Sequence, residues 1–191
     1  MSFKMPTYEE SLALFHQWTK SDSLRRHGYA VEAAMEHYAV IFDEDINLWK
    51  ITGLLHDMDY ERHPTASEHP YVGVNVLREL GYPESILDAI LGHAHYTNTP
   101  RKTLLSKTLF AVDELAGFIT AVSYVRPTQL IGLTPKSVRK KLKDKRFAAA
   151  VSRDDIHQGA QEMGIDLSQH ISNVIAAMTQ QAERLGLSAP Q

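Results

Sequence analysis

Ten histidines and no cysteine mark this chain of 191 residues. The absence of thiols excludes a disulfide framework, iron–sulfur ligation, thiolate zinc sites and a cysteine nucleophile, so any metal must be held by nitrogen and oxygen. The dipeptide His56-Asp57 closes the apolar run ITGLLHD and opens a polar loop. Adjacent side chains diverge by about 100° on a regular helix, but at a helix end they can turn toward a common point. Further donors stand in series around this pair: His27 upstream, then His69, His93 and Asp113 downstream, each on a separate predicted helix or helix end. Asp113 is the most telling by local physics. Its neighbours at three and four positions are Leu109, Phe110, Ala116 and Gly117, which place its carboxylate on an apolar, closely packed stripe. Such a carboxylate needs a cation, a hydrogen-bond network or a shifted pKa. A metal satisfies it most completely; a helix cap or an Arg partner such as Arg26 or Arg126 is the competing reading. His93 sits between Gly92 and Ala94, small residues that admit a bulky site close to the backbone.

Those donors require helices to position them, and apolar spacing is helical through most of the chain. Helices are predicted over Tyr8–Trp18, Ala30–Phe42, Ile46–Leu55, Pro70–Leu80 and Thr103–Val125, with one between the last two opening at Pro83 as its first helical position. Shorter helices follow at Pro135–Leu142 and Arg153–Met163, then a long one over Leu167–Leu185. No stretch alternates with period two, so the fold class is all-α. Residues 1–126 are expected to form the metal-binding helical domain, and 127–191 a C-terminal helical extension packed on it. A hydrophobic fraction of 43% and a charged fraction of 23% suit a chain with a sizeable core. The N-terminus MSFKMPTYEE lacks the apolar core of a signal peptide, and the longest uncharged apolar stretch, Leu115–Val125, is too short to span a bilayer. A cytoplasmic location without a membrane partner is expected. The net charge of −3 supplies no global field for nucleic acid, and none is expected as a partner. One local imbalance stands out: seven Lys or Arg between Lys136 and Arg146 against a single acid, Asp144. Without aromatic interleaving this segment reads as a solvated helix face.

The ordered set His27, His56-Asp57, Asp113 resembles the H…HD…D signature of the HD-domain metal-dependent phosphohydrolase superfamily. The stretch EHPYVGVNVLRELGYPESILDAILGHAH, followed by LFAVDELAGF, is similar to the HDIG-like subgroup in which two further histidines precede the last Asp. The resemblance covers His27 to about Val125. It implies an all-α bundle with the site at its centre. By the same resemblance His27, His56, Asp57 and Asp113 hold one divalent ion, and His69 and His93 a second, bridged to the first through Asp57. His95 could stand in for His93, and His63 for His69. The implied chemistry is hydrolysis of a phosphate ester in a small phosphorylated substrate such as a nucleotide.

A nitrogen-and-oxygen donor set accepts one or two ions of Mn, Fe, Mg, Co, Ni or Zn, and a close pair activates water for in-line attack on phosphorus. Asp57 is thus both ligand and catalytic residue. Asp59, two residues on, is a candidate general base or an acceptor behind a ligand. Arg62, Arg101, Lys107 and Arg126 are candidate partners for substrate phosphate. Two departures from relatives matter. Met58, Asp59 and Tyr60 stand where many carry Ile-Gly and a Lys, and Gly81-Tyr82-Pro83 precedes His93 rather than following it, so the tripeptide reads as a helix stop and start. Two other readings compete with hydrolysis: a di-iron oxygenase of the same superfamily, and a non-catalytic metal-binding regulatory module.

Overall fold

The computed structural model describes residues 5–189, and these form ten α-helices with no strand. Helix α1 (Tyr8–Trp18) starts at a capping box in which Thr7 and Glu10 satisfy each other's backbone N–H groups. Helix α2 (Asp22–Phe42) ends where Asp43 adopts a left-handed conformation, and α3 (Ile46–Leu55) starts on the Asp45 side chain. Then come α4 (Tyr71–Glu79), α5 (Glu84–His93) and a short 3-10 turn at His95–Thr97. The long α6 (Leu104–Tyr124), capped by Thr103, is buried along most of its length. It forms the axis of the bundle, with α2, α3 and α5 packed against it.

The segment beyond residue 127 adds α7 (Pro135–Leu142), α8 (Arg153–Glu162), α9 (Leu167–Gln180) and α10 (Ala182–Leu185). Helix α8 lies on α6, and α9 lies across both α2 and α6. Trp49, Tyr38, Phe15, Phe118 and Met35 are the largest fully buried side chains. Among the described residues no helix is long and apolar enough to cross a membrane.

Three expected boundaries move. Helix α2 starts at Asp22 rather than Ala30, because the polar run DSLRRHG that hides the start carries a site residue, His27, rather than core. Gly28 in that run lets α1 approach: a Cβ there would lie 2.6 Å from the Phe15 ring. Pro83 is the N-cap of α5, not its first helical residue, and its extended backbone follows the left-handed Gly81 that ends the preceding turn. The expected single helix over 167–185 divides at Gln181, after which α10 turns back so that Arg184 reaches Glu32 on α2 at 3.0 Å.

Candidate metal centre

Five elements converge on one cleft. Helix α2 contributes His27, the end of α3 and the turns after it give His56, Asp57 and His69, α5 ends in His93, and α6 presents Asp113. The six side chains form two groups, His27 with His56 and Asp113, and Asp57 with His69 and His93. In each group the nearest donor atoms lie within 4.8 Å of one another. Asp57 joins them. Its Oδ2 faces His56 Nε2 at 3.5 Å and His27 Nε2 at 3.7 Å, while its Oδ1 faces both His69 and His93 Nε2 at 3.3 Å. Asp113 Oδ1 accepts from His27 at 2.9 Å and lies 3.3 Å from His56, so its partners are imidazoles and not Arg26 or Arg126.

The outer nitrogens show which way the rings face. His56 Nδ1–H donates to the Gly53 carbonyl at 2.7 Å, His69 Nδ1–H to Asp59 Oδ1 at 2.7 Å, and His93 Nδ1–H to the Ile90 carbonyl. A proton held at Nδ1 leaves the Nε2 lone pair of each ring pointing inward, the tautomer that a metal-ligating histidine adopts. Two consequences fit a cation. His56 Nε2 is fully buried with no hydrogen-bond partner, and the His69 and His93 Nε2 atoms lie only 3.3 Å apart. Lone pairs so placed repel unless a proton or a metal lies between them, and hard nitrogen and oxygen donors in this number suit a divalent ion.

The electrostatics agree. Burial pushes the His56 imidazolium down, but the Asp57 and Asp113 carboxylates outweigh it and hold this ring well above its ordinary value. His93 is raised in the same way, against burial, mainly by Asp57. Burial opposes ionisation of Asp57 and Asp113, yet His56 and its neighbours keep both carboxyls far below the usual carboxylate range. The cluster therefore stores positive charge beside two fixed carboxylates, and an entering divalent ion would take the place of those protons.

Of the two readings of Asp59, the geometry fits the acceptor behind a ligand and not the general base. Asp59 is 1% exposed, and its two oxygens accept from His69 Nδ1 and, at 2.6 Å, from the Gly73 N–H. A Cβ at position 73 would lie 3.0 Å from this carboxylate, so Gly73 is what lets α4 close over it. Asp59 positions His69. Replacing it with Ala frees that ring, and metal affinity measured by competition with a chelator should fall about 10- to 100-fold while the other five donors stay in place.

The four expected phosphate partners lie away from the cleft. Arg101 forks onto Glu162 at 2.7 and 2.8 Å, donates to the Gly92 carbonyl and stacks on Phe110. It thereby clamps the end of the helix that carries His93. Arg62 lies over the Trp18 ring and donates to the Gln17 carbonyl, and Arg126 closes its own loop through the carbonyls of Gln129 and Ile131. Lys107 does not line the cleft either. Neither stand-in histidine joins the two donor groups: His63 pairs with Glu68 at 3.2 Å, and His95, which lines the cleft, pairs with Asp155 at 2.9 Å.

The cleft, about 460 Å³, is lined by further groups outside the sequence reading. Tyr60 and Tyr96 stand partly exposed at its mouth. Glu114 follows Asp113 on α6, and burial, reinforced by Asp113, raises its carboxyl to about 7. Ala150, Val151 and Asp155 close one side. This wall is tied across the cleft by the Ser152 N–H donating to Glu114 at 3.0 Å and by the His95–Asp155 contact. The position of Glu114 beside Asp113 among apolar neighbours was the one available signal; the wall has none, because it arrives through tertiary packing.

Residues 24–117 match the family model of the HD domain. The chain contains an HD domain over this span. No curated protein and no solved structure matches it. All six donors fall within the matched span, and they include the His-Asp pair at 56 and 57. HD-domain proteins are typically metal-dependent hydrolases, and the two His/Asp groups of this HD domain could each hold a divalent ion.

Proposed function

We propose that this HD-domain protein hydrolyses a phosphate ester of a small phosphorylated compound, with a nucleotide as one candidate class, through two divalent ions held by His27, His56, Asp57, His69, His93 and Asp113. The observation that carries this reading is the division of Asp57, whose two oxygens each face a different set of imidazoles. When bound, a pair of ions supplies an activated water and a clamp on the phosphoryl oxygens. The protein residues do the rest. Three imidazoles fixed through their outer nitrogens, and Asp113 fixed by His27, hold the donor atoms in place before any ligand arrives, which is the preorganisation that catalysis needs. Among the described residues no Lys or Arg lines the cleft, so the ions are the counter-charge for the substrate phosphate there. Glu114, a half-buried carboxyl beside Asp113 that lines the cleft, is a group outside the donor set placed to give a proton to a leaving oxygen. A cleft of about 460 Å³ matches a small ligand, and the faces of Tyr60 and Tyr96 at its mouth suit a planar body such as a nucleobase.

Turnover of an aryl phosphate by chelator-stripped protein resupplied with Mn²⁺, Mg²⁺, Ni²⁺ or Fe²⁺ tests this. Metal-dependent phosphate release is expected, lost again on chelation. Oxygen uptake by an iron-loaded, coloured protein without phosphate release would replace the hydrolase with an oxygenase.

A further inference from the structure

The wall that closes the metal cleft has a second face. Val151 lines both sides, and beyond it Ser152, Arg153 and the end of α7 border a larger cleft of about 620 Å³. The two clefts have opposite charge. The metal cleft is lined by the carboxylates of Asp57, Asp113, Glu114 and Asp155 without a Lys or Arg. The second is lined by Arg139, Lys143, Lys145, Arg153 and His157 against one carboxylate, Asp154.

Of these cations Arg139, Lys143 and Lys145 stand in no ion pair among the described residues and are not enclosed by backbone. The Lys and Arg ion pairs among the described residues are Lys50–Glu36, Arg78–Glu84, Arg101–Glu162 and Arg184–Glu32, none of them in this cleft. Arg139 donates to the Ser168 hydroxyl at 2.8 Å and has no carboxylate partner. Arg153 donates to the carbonyls of Asp144, Phe147, Ala148 and Val151 and lies over the Phe118 ring, so its donors are taken up by the loop before α8, and it gives the cleft fixed charge rather than a direct ligand contact. Nor is the basic segment a loose tail. Val138 and Leu142 are buried and α7 packs on α9, which holds the flanking cations Arg139 and Lys143 in register. Converging, unpaired cations in a concavity of small-molecule size select a compact polyanion. Among the described residues no Phe, Tyr or Trp lines the cleft to stack a base; Phe147 is used against Phe118 and Lys141.

We propose that this second cleft binds the phosphoryl groups of a small polyphosphorylated ligand. Two sources share that chemistry: the far phosphates of a substrate whose scissile phosphate occupies the metal cleft, which rests on the hydrolase reading, or a free polyphosphate that does not.

Calorimetric titration of chelator-stripped protein with inorganic tripolyphosphate tests the site without any turnover. Binding is expected to weaken about tenfold in Lys143→Ala/Lys145→Ala, to fall as salt rises, and to persist in His56→Ala. Equal binding by wild type and the double variant, with helicity retained, overturns the proposal. Loss of binding in His56→Ala assigns the anion to the metal centre and overturns it equally. Arg139→Gln, read in the same way, serves if the double variant does not fold. A single-stranded oligonucleotide that binds far tighter than tripolyphosphate, and is weakened by the same substitutions, makes the cleft a nucleic-acid contact and also overturns it. With metal-loaded enzyme, a raised KM for an ester bearing phosphates at both ends, but not for an aryl phosphate, identifies the far-phosphate source. Tripolyphosphate binding without that KM shift identifies the free anion.

Discussion

Asp57→Ala is expected to abolish hydrolysis, with activity falling about a thousandfold or more, and to leave the protein unable to retain a second ion. The loss follows from the carboxylate's double role. Without it the Nε2 atoms of His69 and His93 face each other with no carboxylate oxygen beside them, and the other group keeps three donors, His27, His56 and Asp113. A direct ligand shared by both groups should cost far more than the 10- to 100-fold typical of a partner behind a ligand. Asp57→Asn separates charge from shape. The amide keeps one acceptor oxygen and presents an NH₂ to the other group, so one ion is expected to stay and the other to leave. Metal content after dialysis, read beside phosphate release, checks both variants; Asp57→Ala with wild-type metal content and turnover would remove Asp57 from the centre.

The second large effect is on stability. His170 on α9 is fully buried; its Nε2–H donates to the Ala111 carbonyl at 2.9 Å, and its Nδ1 accepts from the Tyr38 hydroxyl at 2.6 Å. This neutral ring joins α9 to α2 and to α6, two residues before Asp113. Burial lowers its pKa from 6.5 to about 4. In the unfolded chain the ring takes up a proton near 6.5 that the folded protein refuses until about 4, so its contribution is complete above pH 6.5 and is lost as pH falls toward 4. The loss amounts to about 3 kcal/mol. Denaturant unfolding of the metal-free protein between pH 7.5 and 4 should show a steeper fall in stability for wild type than for His170→Leu. The leucine variant starts lower at pH 7.5, because it leaves the Ala111 carbonyl and the Tyr38 hydroxyl without their partner. Parallel curves would show that His170 does not titrate in this way.

The helices were legible because their apolar spacing is regular and their caps are local: Thr7, Asp45, Thr103 and Ser152 each accept from a backbone N–H three residues on. The start of α2 was not, because its first turns trade apolar residues for Arg25, Arg26 and His27. The donors were legible as types in order, and the structure brings all six together. Roles set by distance in space were not. Asp59 reads as either a general base or an acceptor behind a ligand, and only the approach of Gly73 and His69, which buries it, favours the acceptor. Arg62, Arg101, Lys107 and Arg126 are close to the site in sequence, yet the partners of the three arginines lie elsewhere. The basic segment likewise read as a solvated face, since the cleft it borders exists only once α8 and the loop before it are in place.

The most direct measurement is metal stoichiometry by elemental analysis of chelator-stripped protein reloaded with Mn²⁺, for wild type and for His56→Ala, with phosphate release followed on the same samples. About two ions per wild-type chain, fewer in the variant, and turnover that rises with the second equivalent are the expected result. A wild-type chain that takes up no ion on titration would contradict the metal centre itself.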